Sequence, residues 1–147
     1  LTPPAPEISP SFWDSFDVDD ADDVEVAKGL ISMFTRYYQN RRHDWAGKDV
    51  PYHKPKGSVV TDVNLRHVHI IPLKRTPSAR IDWMEGRTSD RWLIYARASC
   101  GRALLIAYVE DEAHTHAHDY DDLRAIADIA NDWLHQHNLF PDMSAPF

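Results

Sequence analysis

A single cysteine, Cys100, in 147 residues excludes an intrachain disulfide. It stands beside Gly101 where a hairpin turn is expected, and no neighbour in the sequence activates its thiol, so it reads as structural filler. Glycine is scarce, with 5 residues, and neither a Gly-rich phosphate loop nor a serine nucleophile motif is present. No apolar run approaches the roughly 18 residues that a membrane helix needs. Leu1 to Pro6 has no basic region and no apolar region, so no signal peptide is read there. The first residue is not Met, and the chain reads equally as a released piece of a longer polypeptide or as a trimmed one. What is present is a normal core composition: 43% hydrophobic residues, with 5 Trp, 6 Tyr and 5 Phe, enough for one buried core.

The net charge of -7 is unevenly spread. Residues 1–25 hold eight acidic side chains and no Lys or Arg. Residues 36–80 hold ten basic side chains against Asp44, Asp49 and Asp62. A basic stretch of this kind suits phosphate contacts, although a solvated charged surface explains it as well. The acidic, Pro-rich segment 1–23 reads as a flexible arm, with 24–147 as the folded domain. The arm is either a linker or, through Phe12, Trp13, Phe16 and Val18, a tethered polyanion lying across the basic stretch.

Apolar residues at three- and four-residue steps predict a helix from about Val24 to Asn40, capped by Asp22 or Asp23. Residues 41–58 carry loop signals in Gly47, Pro51, Pro55 and Gly57. Val59 to Leu73 reads as one long strand or two, with His67 and His69 on one face and Arg66, Val68 and Ile70 on the other. A basic irregular segment follows through Arg80, and Ile81 to Met84 reads as a short strand. Arg91–Ser99 and Arg102–Glu110 form the clearest hairpin, its second strand central in the sheet. A last helix runs from about Tyr120 to His137 behind an Asp119 cap, and the tail from Leu139 lies on the surface. The fold class is α+β: a small antiparallel sheet packed with an N-terminal and a C-terminal helix.

Several segments resemble the YafO family of type II toxins. His67-Val68-His69-Ile70 is similar to a His-Ile-His-Leu segment of that family. Asp90 and then Trp92-Leu93-Ile94-Tyr95 resemble its Asp followed by His-Leu-Val-Tyr. Leu104 to Ala107 resembles its central strand, and Glu112 to Asp119 its Glu-Pro-His-Lys-Leu-Ala-Arg-Asp before the final helix. Trp92 stands where the family example has His, and His118 where it has Arg. The resemblance spans Phe34 to Trp133. It implies a RelE-like ribonuclease fold, and a toxin that cleaves mRNA on the ribosome in the cytoplasm, either standing alone or delivered within a larger secreted protein. It also implies a cognate antitoxin or immunity protein as partner, no membrane partner and no cofactor.

RNA cleavage without a metal needs a base for the 2′-hydroxyl, a cation for the phosphate and an acid for the leaving oxygen. His67, His69 and His114 are the candidate proton carriers, each with a plain structural reading beside the catalytic one. Asp90 either orients a histidine or caps a turn, and Tyr95 either meets a base or phosphate or fills the core. Arg66, Lys74, Arg75, Arg80 and Arg91 are the candidate RNA-binding cations. Two other functions stay open: a non-catalytic RNA- or protein-binding module, and a metal-dependent hydrolase in which His114, His116 and His118 join His67 and His69.

Overall fold

The computed structural model describes residues 2–74, 76–110 and 119–144. Its centre is a five-stranded sheet in the order β1-β5-β4-β3-β2, formed by β1 (Glu7–Ile8), β2 (Ala46–Pro51), β3 (Arg66–Ile70), β4 (Trp92–Arg97) and β5 (Ala103–Val109). All neighbours are antiparallel except β1 and β5, which run parallel. The chain is thus a small α+β, RelE-like fold with a mixed sheet.

Helix α1 (Ala21–Asn40) covers one face. Its Leu30, Met33, Phe34, Tyr37 and Tyr38 pack on Val68, Ile70, Leu93, Tyr95 and Leu105. The cap is Asp20, whose carboxylate accepts from the N–H of Asp22, so the helix begins three residues earlier than its apolar period suggests. Val26 is 46% exposed, whereas Met33 is buried. The opposite face carries α2 (Val59–Asp62) and α4 (Tyr120–Gln136) over Leu65, Trp92, Ile94 and Ile106. Asp119 caps α4 as expected, accepting from the N–H groups of Asp121 and Asp122.

Further expectations are corrected. Val59 to Asp62 is a helical turn, not strand: Val60 is driven under α4, and burial overrides its β-branched preference. Residues 46–51, expected as loop, form the edge strand β2, which tolerates Pro51 at its end and a register shift between Ala46 and Asp49. Residues 77–86 form α3 (Pro77–Gly86) rather than an irregular segment and a strand. Thr76 caps it through Ala79 N–H with Pro77 in the first turn, but only Trp83 is buried, so no apolar period announces it. The hairpin is as expected, although β4 rather than β5 is the middle strand.

Another correction concerns the arm. Residues 7–16 are seated on the β5 edge, at the opposite side of the sheet from β2. Phe12 is fully buried, and Ser11 and Ser15 donate to the carbonyls of Ile106 and Tyr108. Glu7 receives Arg102 in a two-pronged ion pair and also the indole N–H of Trp133. The partners of the arm are therefore β5, α4 and α1, not the basic side chains of residues 36–80. The tail is likewise pinned: Pro141 bridges Ala98, and the N–H of Asp142 donates to Arg97 O at 2.8 Å.

Candidate functional site

Strand β3 is buried along its whole length, so residue parity decides which layer each side chain meets. His67 lies opposite Ile94, and His69 opposite Trp92, on the face of α2 and α4. That helical layer gives way to an open cleft of about 940 Å³, whose walls include β2, the segment before α3, α3 itself and residues 88–92. Tyr52 and Trp92 belong both to the core and to the cleft wall. His67 lies between them, its ring tilted about 32° and 35° to theirs with centroids 4.4 Å from each. The His69 ring lies 5.4 Å from that of His67. Both histidines are mostly enclosed, 8% and 5% exposed, and reach the cleft by an edge.

The peptide groups of Ser89 hold His69. The N–H of Ser89 donates to His69 Nδ1 at 2.9 Å, which in the neutral ring places the proton on Nε2. The carbonyl of Ser89 lies 3.0 Å from the same nitrogen and can accept from it once Nδ1 is protonated. Both peptide groups of Ser89 thus face this one nitrogen and fix the orientation of the ring. The same carbonyl accepts from the Trp92 indole at 2.8 Å, and the Ser89 hydroxyl donates to Ile70 O, so this support is itself rigid.

Arg91 is aimed by two hydrogen bonds, Nε to the Tyr108 hydroxyl and Nη1 to Ile71 O, both 2.8 Å. Burial, and then the hydrogen bond to Glu110, push the Tyr108 hydroxyl pKa up, so it stays protonated and donates to that carboxylate. Lys74 and Asp90 also line the cleft, both exposed. The structure therefore brings together His67, His69, Lys74, Asp90 and Arg91.

Other expected site residues are elsewhere. Tyr95 is fully buried on the α1 face, across the sheet from the histidines, and its hydroxyl donates to Asp49 Oδ2. Burial, reinforced by the Asp49 charge, raises its pKa well above the usual value. Arg66, opposite Tyr95 on the same face, is 0% exposed and donates to the carbonyls of Asp142 and Ser144. It cannot meet an RNA phosphate there: a central strand between two helical layers gives both its faces to the core. Arg80 is exposed on α3 but outside the cleft lining. Arg75, His114, His116 and His118 lie outside the described residues. Among the described residues no group of three or more His, Cys, Asp or Glu could hold a metal ion.

Lys48, Tyr52, His53 and Lys54 line the cleft and were not singled out from sequence. The signals were the place of Lys48 and Lys54 in the basic stretch and a weak family echo at Gly47-Lys48-Asp49, and these residues reach the site because residues 46–51 form a strand beside β3. No helix among the described residues is long and apolar enough to cross a membrane.

Neither the curated proteins nor the solved structures contain a match to this chain. The family model described as Toxin YafO, type II toxin-antitoxin system, matches residues 35–135, a span that takes in β2 to β5 and nearly all of α4. With more than two thirds of its length matched, and with the paired histidines of β3 inside the match, the chain belongs to the YafO family of type II toxin–antitoxin toxins.

Proposed function

We propose that this toxin is an endoribonuclease that cleaves mRNA without a metal, at the cleft over β3. The observation that carries the reading is the placement of His69, oriented by Ser89, at the edge of a cleft that also holds Arg91 and Lys74. A group that passes a proton must be held in place, and the peptide groups of Ser89 hold the His69 ring from its Nδ1 side. In the reaction the 2′-oxygen forms a bond to phosphorus as the bond to the 5′-oxygen breaks. A base takes the 2′-hydroxyl proton, and an acid returns one to the leaving oxygen. His69 is one of these groups; His67 and His114 are the candidates for the other, His114 by family resemblance alone. Arg91 and Lys74 offset the charge that builds on the phosphate.

Action on the ribosome is part of the proposal and rests on the resemblance to YafO toxins. Family membership implies a cognate antitoxin. The test is primer extension on an mRNA incubated with the protein, with and without ribosomes. Cuts that require ribosomes and vanish in His69→Ala support the reading. The aromatic enclosure of His67 favours a second reading, in which the cleft binds RNA and leaves it intact. Binding with no new 5′ ends under either condition would establish that reading instead.

A further inference from the structure

A second concavity, of about 490 Å³, reaches across β2, so that Lys48 and Val50 line both it and the cleft. Its other cations are Arg41, Arg42 and Arg87. Two carboxylates oppose them. Asp49 is enclosed, and the hydroxyls of Tyr37 and Tyr95 occupy its Oδ2, which leaves Asp44 as the exposed acid of the lining. The C-terminal carbonyls of α1 add partial negative charge, but this is local and smaller than the four cations. Arg87 is held in place: its Nη2 donates to Asp44 O and Ala46 O, and its guanidinium lies 4.3 Å over the Trp83 ring.

Beside this pocket stands Trp45, between two lining residues and 50% exposed. Its backbone N–H donates to His43 Nδ1 at 3.1 Å, and its ring meets that of His43 edge-on at 5.5 Å. An indole held open to solvent beside clustered cations is the arrangement that binds single strands, because every base offers a flat face and every linkage a charge. An acidic peptide would use the cations and leave the indole idle.

We infer that this pocket and Trp45 form a second subsite for single-stranded RNA. A strand held in the cleft passes over β2 beside Lys48, places a phosphate among Arg41, Arg42 and Arg87, and stacks a base on Trp45. The inference rests on the RNA reading of the cleft and extends it by a binding length.

The test compares inert 2′-O-methyl RNAs of about 4 and about 12 nucleotides, lengths that bracket a single binding site. Fluorescence anisotropy measures their affinity for the full chain and for an Arg42→Ala/Trp45→Ala variant. Arg42 is exposed and Trp45 half-exposed, and a melting curve for the variant confirms that it is folded at the assay temperature. The expected result is a loss of about tenfold or more for the longer RNA, as base stacking alone provides, with the short RNA unaffected. Equal binding of the longer RNA to both proteins overturns the subsite and leaves the cleft reading standing. Failure of the wild type to bind either RNA overturns both. Labelled polyglutamate is the third probe. If it loses affinity in the variant and the longer RNA does not, the pocket serves an acidic protein segment and the inference is wrong.

Discussion

The N–H of Ser89 donates to Nδ1 of His69 at 2.9 Å, so a backbone group orients the histidine at the cleft. This bond comes from the segment between α3 and β4, which turns back against the end of β3. The hydroxyl of Ser89 ties that segment to Ile70 O and receives the N–H of Arg91. The orientation of His69 and the start of β4 are therefore fixed together.

His69→Ala should lower RNA cleavage by at least about tenfold, since proton-transfer groups contribute roughly 10²–10⁴-fold. His114→Ala should do the same if the family resemblance carries its role. The readout is the cleavage rate on a defined mRNA, beside a melting curve for each variant. A folded His69→Ala protein that cuts at the wild-type rate would remove His69 from the chemistry.

Arg91→Lys should weaken RNA binding despite keeping the charge. Lysine cannot satisfy the Tyr108 hydroxyl and Ile71 O while presenting a further donor to the cleft. Lys74→Ala should weaken binding mainly at low salt, because Lys74 is exposed and acts as a point charge. Affinity across a salt series separates them: the Arg91 loss persists at high salt, and the Lys74 loss fades. Parallel losses for both would contradict the directed role of Arg91.

Gly47→Ala should destabilise the protein by about 1–3 kcal/mol, the usual cost of overpacking. A Cβ at this position would stand 2.2 Å from Arg87 O and 2.7 Å from the Trp83 ring, and the carbonyl belongs to the backbone and cannot rotate away. The strand and α3 touch at this glycine, so the variant should also disturb the cleft wall that α3 supplies. An unchanged denaturation midpoint would show that α3 is not clamped there.

Phe12→Ala should cost about 3–5 kcal/mol, as for other fully buried aromatic residues. Phe12 is 0% exposed and packs against Phe16 at 5.1 Å, and Phe16 stacks on Tyr108 at 5.4 Å. Urea unfolding measures the loss. A change within error would mean that residues 7–16 do not stabilise the sheet.

Asp49 gives a pH signature. Burial raises its pKa above the usual 3.8, opposed by the Tyr37 and Tyr95 hydroxyls and by Arg66. The folded state therefore keeps a proton that the unfolded chain releases. This contribution to stability is fully present below pH 3.8 and is lost as pH rises through the raised value. Asn at this position keeps an acceptor for the hydroxyls without the charge. The melting temperature of Asp49→Asn minus that of wild type should therefore climb with pH across this window and then level off. A falling difference would mean that Arg66 dominates and holds the carboxylate ionised.

Helix α1, the β4–β5 hairpin and α4 are legible in the amino-acid order, because each writes its own period or turn into the chain. So is the pairing of His67 with His69 on one face, since a strand alternates strictly. The family followed from the same segments. What the sequence could not show was depth. Arg66 and Lys74 are both basic residues of one stretch, yet one is sealed between α1 and the C-terminal segment and the other is exposed at the cleft. Tyr95 and Asp90 are close in sequence, yet the sheet separates them to opposite sides. Edge strand β2 and helix α3 carry weak local signals and exist because neighbours complete them: β3 offers β2 a ladder, and Gly47 gives Trp83 a place to lie. Local periodicity is a property of ten or so residues, whereas burial is set by which layers close over a strand, and that depends on the whole chain.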